Sequence, residues 1–389
     1  MTQTPNTGPL AGLLVADFSR VLAGPYCTML LADLGADVVK VESPAGDDTR
    51  GWTPPTSADG VSTYFLGVNR NKRSVTLDLT DADDLAAARE LARRADVVVE
   101  NFKPGGLARF GLDHATVSTT NPAVVYASIS GFGAGPGAGL PGYDLIVQAI
   151  SGLMSLTGSP DGEPYRAGIS VFDVMTGMHA TIGVLAALRH REVTGEGQYV
   201  EVNLLSSALS GLVNHSSTVV NSDVVPYRMG NAHPSVFPYE PLPTADGDLV
   251  VTSGNDRQFR VLCDVLGVPG LAEDPRFARN ADRTANREAL RLLLVERLAT
   301  RGKQEWFDLL IRAGVPCGPI NTVDAGVAFA ESLGLEPVVD VGPEGASRPS
   351  IRNPIRLSAT PPRYSLPPPG LDEHGEELRR WLAVPREDR

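Results

Sequence analysis

The chain has 389 residues, long for one domain and natural for two. Its 42% hydrophobic and 21% charged residues are ordinary for a soluble globular protein. A formal charge of −12 argues against a nucleic-acid or anionic-membrane surface, leaving only local basic patches for phosphate.

The first third alternates strand and helix signals. Residues 13–18 are a short apolar run, 25–34 read as helix, and 37–42 (DVVKVE) as a second strand. Residues 73–79 (RSVTLDL) alternate with period two. Residues 81–94 form an Ala- and Leu-rich helix with acids at its start and two arginines at its end, matching the helix dipole. Residues 96–100 and 124–129 are further buried-type strands. This alternation predicts an α/β fold, an open parallel sheet with helices on both faces and ligands at the strands' carboxyl ends. The loop after the first strand, 19–25 (SRVLAGP), carries no Gly-x-Gly-x-x-Gly, so a dinucleotide enzyme is not expected. Residues 131–137 (GFGAGPG) lack the Lys-Ser/Thr of a phosphate cradle and read as a mobile or close-approach loop.

Residues 168–179 (GISVFDVMTGMH) draw the most attention. Val174, Met178, Ile182, Leu185 and Leu188 recur at helical spacing, which predicts a helix with that face in the core and Asp173 at its opening. Asp173 is then either a helix cap or a chemically active carboxylate. A turn at 195–198, a strand at 199–202 and a helix at 204–212 follow. The polar stretch 214–229 reads as a linker. Residues 230–325 form a smaller unit with a strand at 248–252 and helices near 257–266, 287–299 and 304–313. The tail, 326–389, brings a linker, a strand from Asn353 (IRLSA), a Pro-rich crossing and a helix over 373–382. Cys27, Cys263 and Cys317 are scattered and the six histidines never cluster, so neither a disulfide framework nor a metal site is expected. The first ten residues lack the regions of a signal peptide, and the most apolar uncharged run, 174–188, is shorter than the roughly 20 residues of a membrane span. A cytoplasmic location without membrane attachment is the expectation.

Taken together, 17–25 (DFSRVLAGP), 31–42 (LADLGADVVKVE), 46–50 (GDDTR), 69–74 (NRNKRS), 99–105 (VENFKPG) and 195–198 (GEGQ) resemble the class III CoA-transferase family over nearly the whole chain. The resemblance implies a Rossmann-like large domain made from both chain ends, a smaller α+β domain, and an interlocked homodimer. The substrates it implies are a coenzyme A thioester and a carboxylic acid, with no permanently bound cofactor. It places the catalytic nucleophile at Asp173, which would pass through a mixed anhydride. For CoA it implies Val21, Leu22 and Ala23, and the group Asn101, Phe102 and Arg109. Arg109 is alternatively a solvated helix charge, and Lys72 and Arg73 are either further positive charge for phosphate or structural. Pro141 stands where the family has a phosphate-binding lysine. The related racemases carry Gly-His-Asp where this chain has Gly142-Tyr143-Asp144, and a phenol titrates near pH ~10, so transferase is favoured over α-proton transfer. Tyr143 and Asp144 are candidates for the acyl site, the alternative being a core-edge tyrosine beside a capping aspartate. The runs 203–207, 232–239 and 314–321 look most like the succinyl-CoA:dicarboxylate (glutarate-type) branch. His233 is there a candidate ligand of an acyl carboxylate, or a structural loop histidine.

Overall fold

In a computed structural model, which describes residues 8–384, the chain divides into two units. The first comprises residues 8–153, 167–223 and 336–384, and the second 154–166 and 224–335. In chain order the first runs β1 (Leu14–Asp17), α1 (Ala23–Asp33), β2 (Asp37–Glu42), α2 (Thr63–Val68), β3 (Lys72–Thr76), α3 (Ala82–Arg94), β4 (Val97–Glu100), α4 (His114–Thr120), β5 (Val125–Ser130) and α5 (Asp144–Ile150). The short α6 (Leu153–Leu156) leads out of it; α7 (Val171–Thr194), β6 (Gln198–Asn203), α8 (Leu204–Gly211) and α9 (Asn214–Asn221) lead back.

The strands form one parallel sheet in the order β3-β2-β1-β4-β5-β6. Short Val-rich strands buried on both faces suit this arrangement. Val15, Val38, Val97, Val99, Val125 and Ala127 face α1, α7 and α8. Ala16, Val39, Val75, Val98 and Tyr126 face α3 and the C-terminal helix. Asp81 caps α3 by accepting from the Asp83 and Asp84 N–H groups, and Arg93 and Arg94 close it, as the charge pattern predicts.

Three expectations fail here. The buried side of α7 is Phe172, Thr176, Ala180, Val184 and Leu188, whereas Met178 and Ile182 are 41% and 63% exposed. Leu185 packs against the core and Leu188 is buried, as predicted, but the part of the stripe carrying Met178 and Ile182 lies two residues, about 200°, around the helix from the buried side. Small residues decide which side packs: a Cβ on Gly177 would stand 2.6 Å from the Ala23 carbonyl oxygen, so α7 crosses α1 in backbone contact. By length and composition α7 could cross a membrane, yet it lies against α1, β5 and β6 as a core helix. The expected linker at 214–229 begins with a helix, α9. The expected strand at 355–359 is irregular, and the strands near it are the antiparallel hairpin Val338–Val341 and Arg348–Ile351.

The second unit has its own core. A three-stranded antiparallel sheet, Tyr239–Thr244, Gly247–Thr252 and Cys317–Pro319, packs Leu242, Leu249 and Val251 against Phe259, Leu290, Leu294 and Trp306 of the surrounding helices.

The segment 336–384 belongs to the first unit and is stitched to it by the 69–74 run. Arg70 pairs with Asp33 through two bonds of 2.9 and 2.6 Å and also donates to the Ile351 carbonyl. Asn71, at φ 61°, donates to Asp33 and Arg363, and its amide oxygen accepts from the Ser365 and Leu366 N–H groups. Ser74 bonds Glu42 and Asp372. The helix Gly375–Ala383 then buries Leu378 and Leu382 beside α3. Asp33 thus carries Arg70, Asn71 and Asn353 together. Asp33→Ala strands a buried guanidinium and is expected to cost about 3–5 kcal/mol, read as a shift of the denaturant midpoint. A loss below ~1 kcal/mol would mean that the clasp is not needed.

Candidate active site

The sheet order reverses between β1 and β4, and the crevice at the carboxyl ends of those strands is where open α/β sheets take ligands. Two turns meet there. The Asn101 side chain clasps Arg20, accepting its N–H at 2.9 Å and donating to its carbonyl at 2.7 Å. Beside them the Gly-rich loop leaves β5 at Gly131 and returns at Gly142. A Cβ on either residue would lie 2.4 Å from the other's Cα, so only glycines let the neck close. The structure supports close approach as the reason for this loop's glycines.

A cleft of about 120 Å³ lies here, lined among others by Ala23, Asn101, Phe102, Lys103, Pro141 and Asp173. Asp173 sits in the first turn of α7 and is not the cap. Ser170, at the cap position, makes no side-chain capping bond. The cap comes from Asp144 of α5, whose Oδ1 accepts the Phe172 N–H at 2.8 Å and the Asp173 N–H at 3.3 Å. Gln148, one helical turn on, donates to Asp144 and to the Ile169 carbonyl, and accepts the Ala167 N–H at 2.8 Å. One buried pair therefore fixes both the approach to α7 and its start.

This placement sets the acidity of Asp173. Burial, and then the charge of Asp144, push its carboxyl up to about 7. Tyr64 of α2 is hydrogen-bonded to Ser170. Its phenol is pushed up by burial, against the Ser170 bond, with the negative charge of Asp173 adding to the rise.

Of the residues picked from sequence, Asp173, Ala23, Asn101 and Phe102 come together in the cleft, with Val21 and Leu22 in the adjoining turn. Others are placed elsewhere. Lys72 is fully buried and its three donors go to Asp17 at 3.1 Å, the Pro25 carbonyl at 2.9 Å and Asn69 at 3.0 Å, leaving none for a phosphate. Arg73 is engaged by Asp37 and Glu377. Arg109 is exposed, its guanidinium 4.5 Å from the Phe110 ring centre, and it does not line the cleft. Tyr143 is 65% exposed and is also outside the lining. Asp144 is the helix-capping alternative, not a free acyl-site group. His233, in the second unit, accepts the Ser235 N–H at 3.1 Å and lies 5.1 Å from the Tyr239 ring.

Sequence reasoning missed Lys103, Tyr64 and Gln148. Lys103 lies inside a run already singled out, and Gln148 falls at i+4 from Asp144, a readable helical pairing. Nothing in the sequence marks Tyr64.

A buried carboxyl in a cleft at the switch point of a doubly wound sheet lies where such folds bind their ligands. Residues 10–375 match the model of CoA-transferase family III, and the chain belongs to that family. It is 44% identical to the succinate–glutarate CoA-transferase of Agrobacterium fabrum, across 99% of this chain and 98% of that one. It is 40% identical to the acetyl-CoA:oxalate CoA-transferase of Acetobacter aceti, across 97% of each. The crystal structure of a CaiB/BaiF family protein from Brucella suis superposes with a TM-score of 0.86 at 43% identity, covering 97% of this chain and 100% of that one. The protein is thus a CoA-transferase acting on CoA thioesters.

A carboxyl raised by the fold costs stability once it must ionise. Below the unfolded value near ~4 both states hold the proton. As pH rises from there towards 7, the unfolded chain releases it first and stability falls. Asp173→Asn is therefore expected to match the wild type at pH 4 and exceed it at pH 8 by on the order of 2–4 kcal/mol in urea unfolding. Equal stability at both pH values would refute the raised acidity.

Proposed function

We propose that the protein moves CoA from an acyl-CoA donor, succinyl-CoA first among candidates, to a free dicarboxylic acid through a covalent relay on Asp173. The observation that carries this is Asp173 itself, lining the cleft with its carboxyl near 7. Near neutrality such a group is partly ionised and more basic than an ordinary carboxylate, which favours attack on a thioester carbonyl. The donor and acceptor follow the two named relatives, which act on succinate with glutarate and on acetyl-CoA with oxalate.

The relay has four balanced steps. The Asp173 carboxylate attacks the donor thioester, giving an aspartyl–acyl anhydride and CoA thiolate. The thiolate attacks the aspartyl carbonyl, giving an aspartyl–CoA thioester and releasing the donor acid. The acceptor carboxylate attacks that thioester, forming a second anhydride and freeing the thiolate. The thiolate then takes the acceptor's acyl group and restores the Asp173 carboxylate. Acylation removes the charge on Asp173 and with it the repulsion from Asp144. Water must be kept out, since each anhydride hydrolyses. We also propose that a second copy of the chain covers the apolar outer side of α7 and α9, where Met178, Ile182, Val219 and Val220 are exposed. Racemisation is not retained as a second reading, because position 143 offers only a phenol, 65% exposed and not part of the cleft lining.

The test is one reaction in D2O with succinyl-CoA and a panel of dicarboxylic and monocarboxylic acids, read by mass spectrometry of the CoA esters. A new ester of an added dicarboxylic acid is expected; α-deuteration without a new ester would overturn transfer. Asp173→Ala is expected to lower turnover by roughly 10³-fold or more while CoA binding persists. In the wild type, kcat/KM is expected to rise with pH through about 7, and in Asp144→Asn that rise moves to lower pH. A flat profile between pH 5 and 8 would remove Asp173 as the ionising nucleophile.

A further inference from the structure

The run 46–50 (GDDTR) lines no part of the cleft, yet one of its residues governs the turn that does. Val21 stands at φ 68°, in the left-handed region that a β-branched residue avoids. Strain of this kind persists where the surroundings over-determine it, and functional sites are where it concentrates.

Here each backbone polar group from Ser19 N–H to Val21 N–H is held by a side chain. Asp17 accepts the Ser19 N–H at 3.0 Å, and Lys40 donates to the Ser19 carbonyl at 3.1 Å. Asn101 takes both groups of Arg20. Asp47 accepts the Val21 N–H through both oxygens at 3.3 Å. Gly24 closes the turn, since a Cβ there would lie 2.2 Å from the Ser19 Cβ. The next residue in the turn that meets the cleft is Ala23.

Asp47 is itself rigid and charged. It is 4% exposed, pairs with the buried Lys40 at 2.8 Å, and accepts the Thr49 N–H and hydroxyl at 2.9 and 2.7 Å. Its own N–H is held by Glu42 at 3.0 Å, and Glu42 in turn by Arg50. Burial works against its charge, but Lys40 and Thr49 outweigh it and keep the carboxyl below the ordinary range, so Asp47 remains an acceptor. Asn101, Asp17 and Lys40 would hold Ser19 and Arg20 without it; Val21 has no other side-chain acceptor among the described residues.

We propose that Asp47 is a positioning residue for the CoA ester, holding Val21 in its left-handed conformation so that the turn 19–23 keeps the wall of the Asp173 cleft in place. The proposal deepens the CoA-transfer reading and rests on it. It explains why this acidic run belongs with the cleft although it never touches it.

The strain gives the test its leverage. Glycine adopts φ above zero without cost, so Val21→Gly removes the need for the Asp47 tie, whereas a mere counter-ion role for Lys40 is indifferent to residue 21. Steady-state kinetics with succinyl-CoA are compared for the wild type, Asp47→Ala, Asp47→Asn and Val21→Gly/Asp47→Ala. Asp47→Ala is expected to raise the donor KM about tenfold, as for a lost hydrogen bond to a charged group, with kcat within about threefold. Asp47→Asn, which keeps an acceptor oxygen, stays within about threefold of wild type in KM, and the double variant recovers most of the loss. Hydrogen exchange of the 18–23 peptide should follow the same order without any turnover. If Asp47→Ala does not fold, Lys40→Met/Asp47→Ala removes both buried charges and takes its place. An unchanged KM and exchange rate in Asp47→Ala, or no recovery in the double variant, overturns the proposal. Absence of CoA exchange by the wild type, with the peptide protection still ordered as described, would instead refute the CoA-transfer reading.

Discussion

Lys40 and Lys72 have no exposed surface, and the large unit is arranged around the carboxylates that neutralise them. Asp17 at the end of β1 holds Lys72, and Asp47 holds Lys40. Burial alone would raise Asp17, but the two lysines, Ser19 and Thr28 outweigh it and hold it below the ordinary range. Lys72 is depressed to about 8 by burial, with Lys40 adding and Asp17 opposing. Such pairs compare poorly with a hydrophobic core as sources of net stability, but losing one member is severe. What they provide is geometry. Asp17 and Lys40 also grip Ser19, so the same charges that occupy the sheet's end fix the first turn of the site.

The placement of Asp173 depends on a second constraint of the same kind, a helix start completed by a residue from another helix. Asp144 satisfies backbone donors of α7 that its own cap position leaves open, which sets the carboxyl of Asp173 beside a like charge. Stability and acidity are then properties of one arrangement. The cap holds the helix, and the charge that makes the cap raises the acid it holds.

How much of this was legible differs by element. The Val-rich strands and α3 were readable because their signals are local: short apolar runs, an Asp cap and a basic end. Asp173 could be singled out as a carboxylate at a helix opening, although its competing reading as a cap turned out to describe Asp144. Only part of the core face of α7, at Leu185 and Leu188, is legible, because large apolar residues lie on both sides and the choice rests on Gly177 and Ala180, which carry little hydrophobic signal. Lys72 and Arg73 suggested phosphate ligands because charge in a sequence does not reveal its partner. Asp17, Asp37 and Glu377 lie 55, 36 and 304 residues away.

The alternating α/β order, the breaks at Gly and Pro, and the family to which the chain belongs are written in the linear chain, because propensity, periodicity and spaced motifs are carried within a few turns. The tertiary structure alone decided which charges are spent inside the protein and which remain for a ligand. It also decided that Asp144 caps a helix 27 residues further on and that Val21 is held left-handed by Asp47. Those outcomes depend on partners distant in the chain, and a buried charge takes its role from the neighbour that folding brings to it.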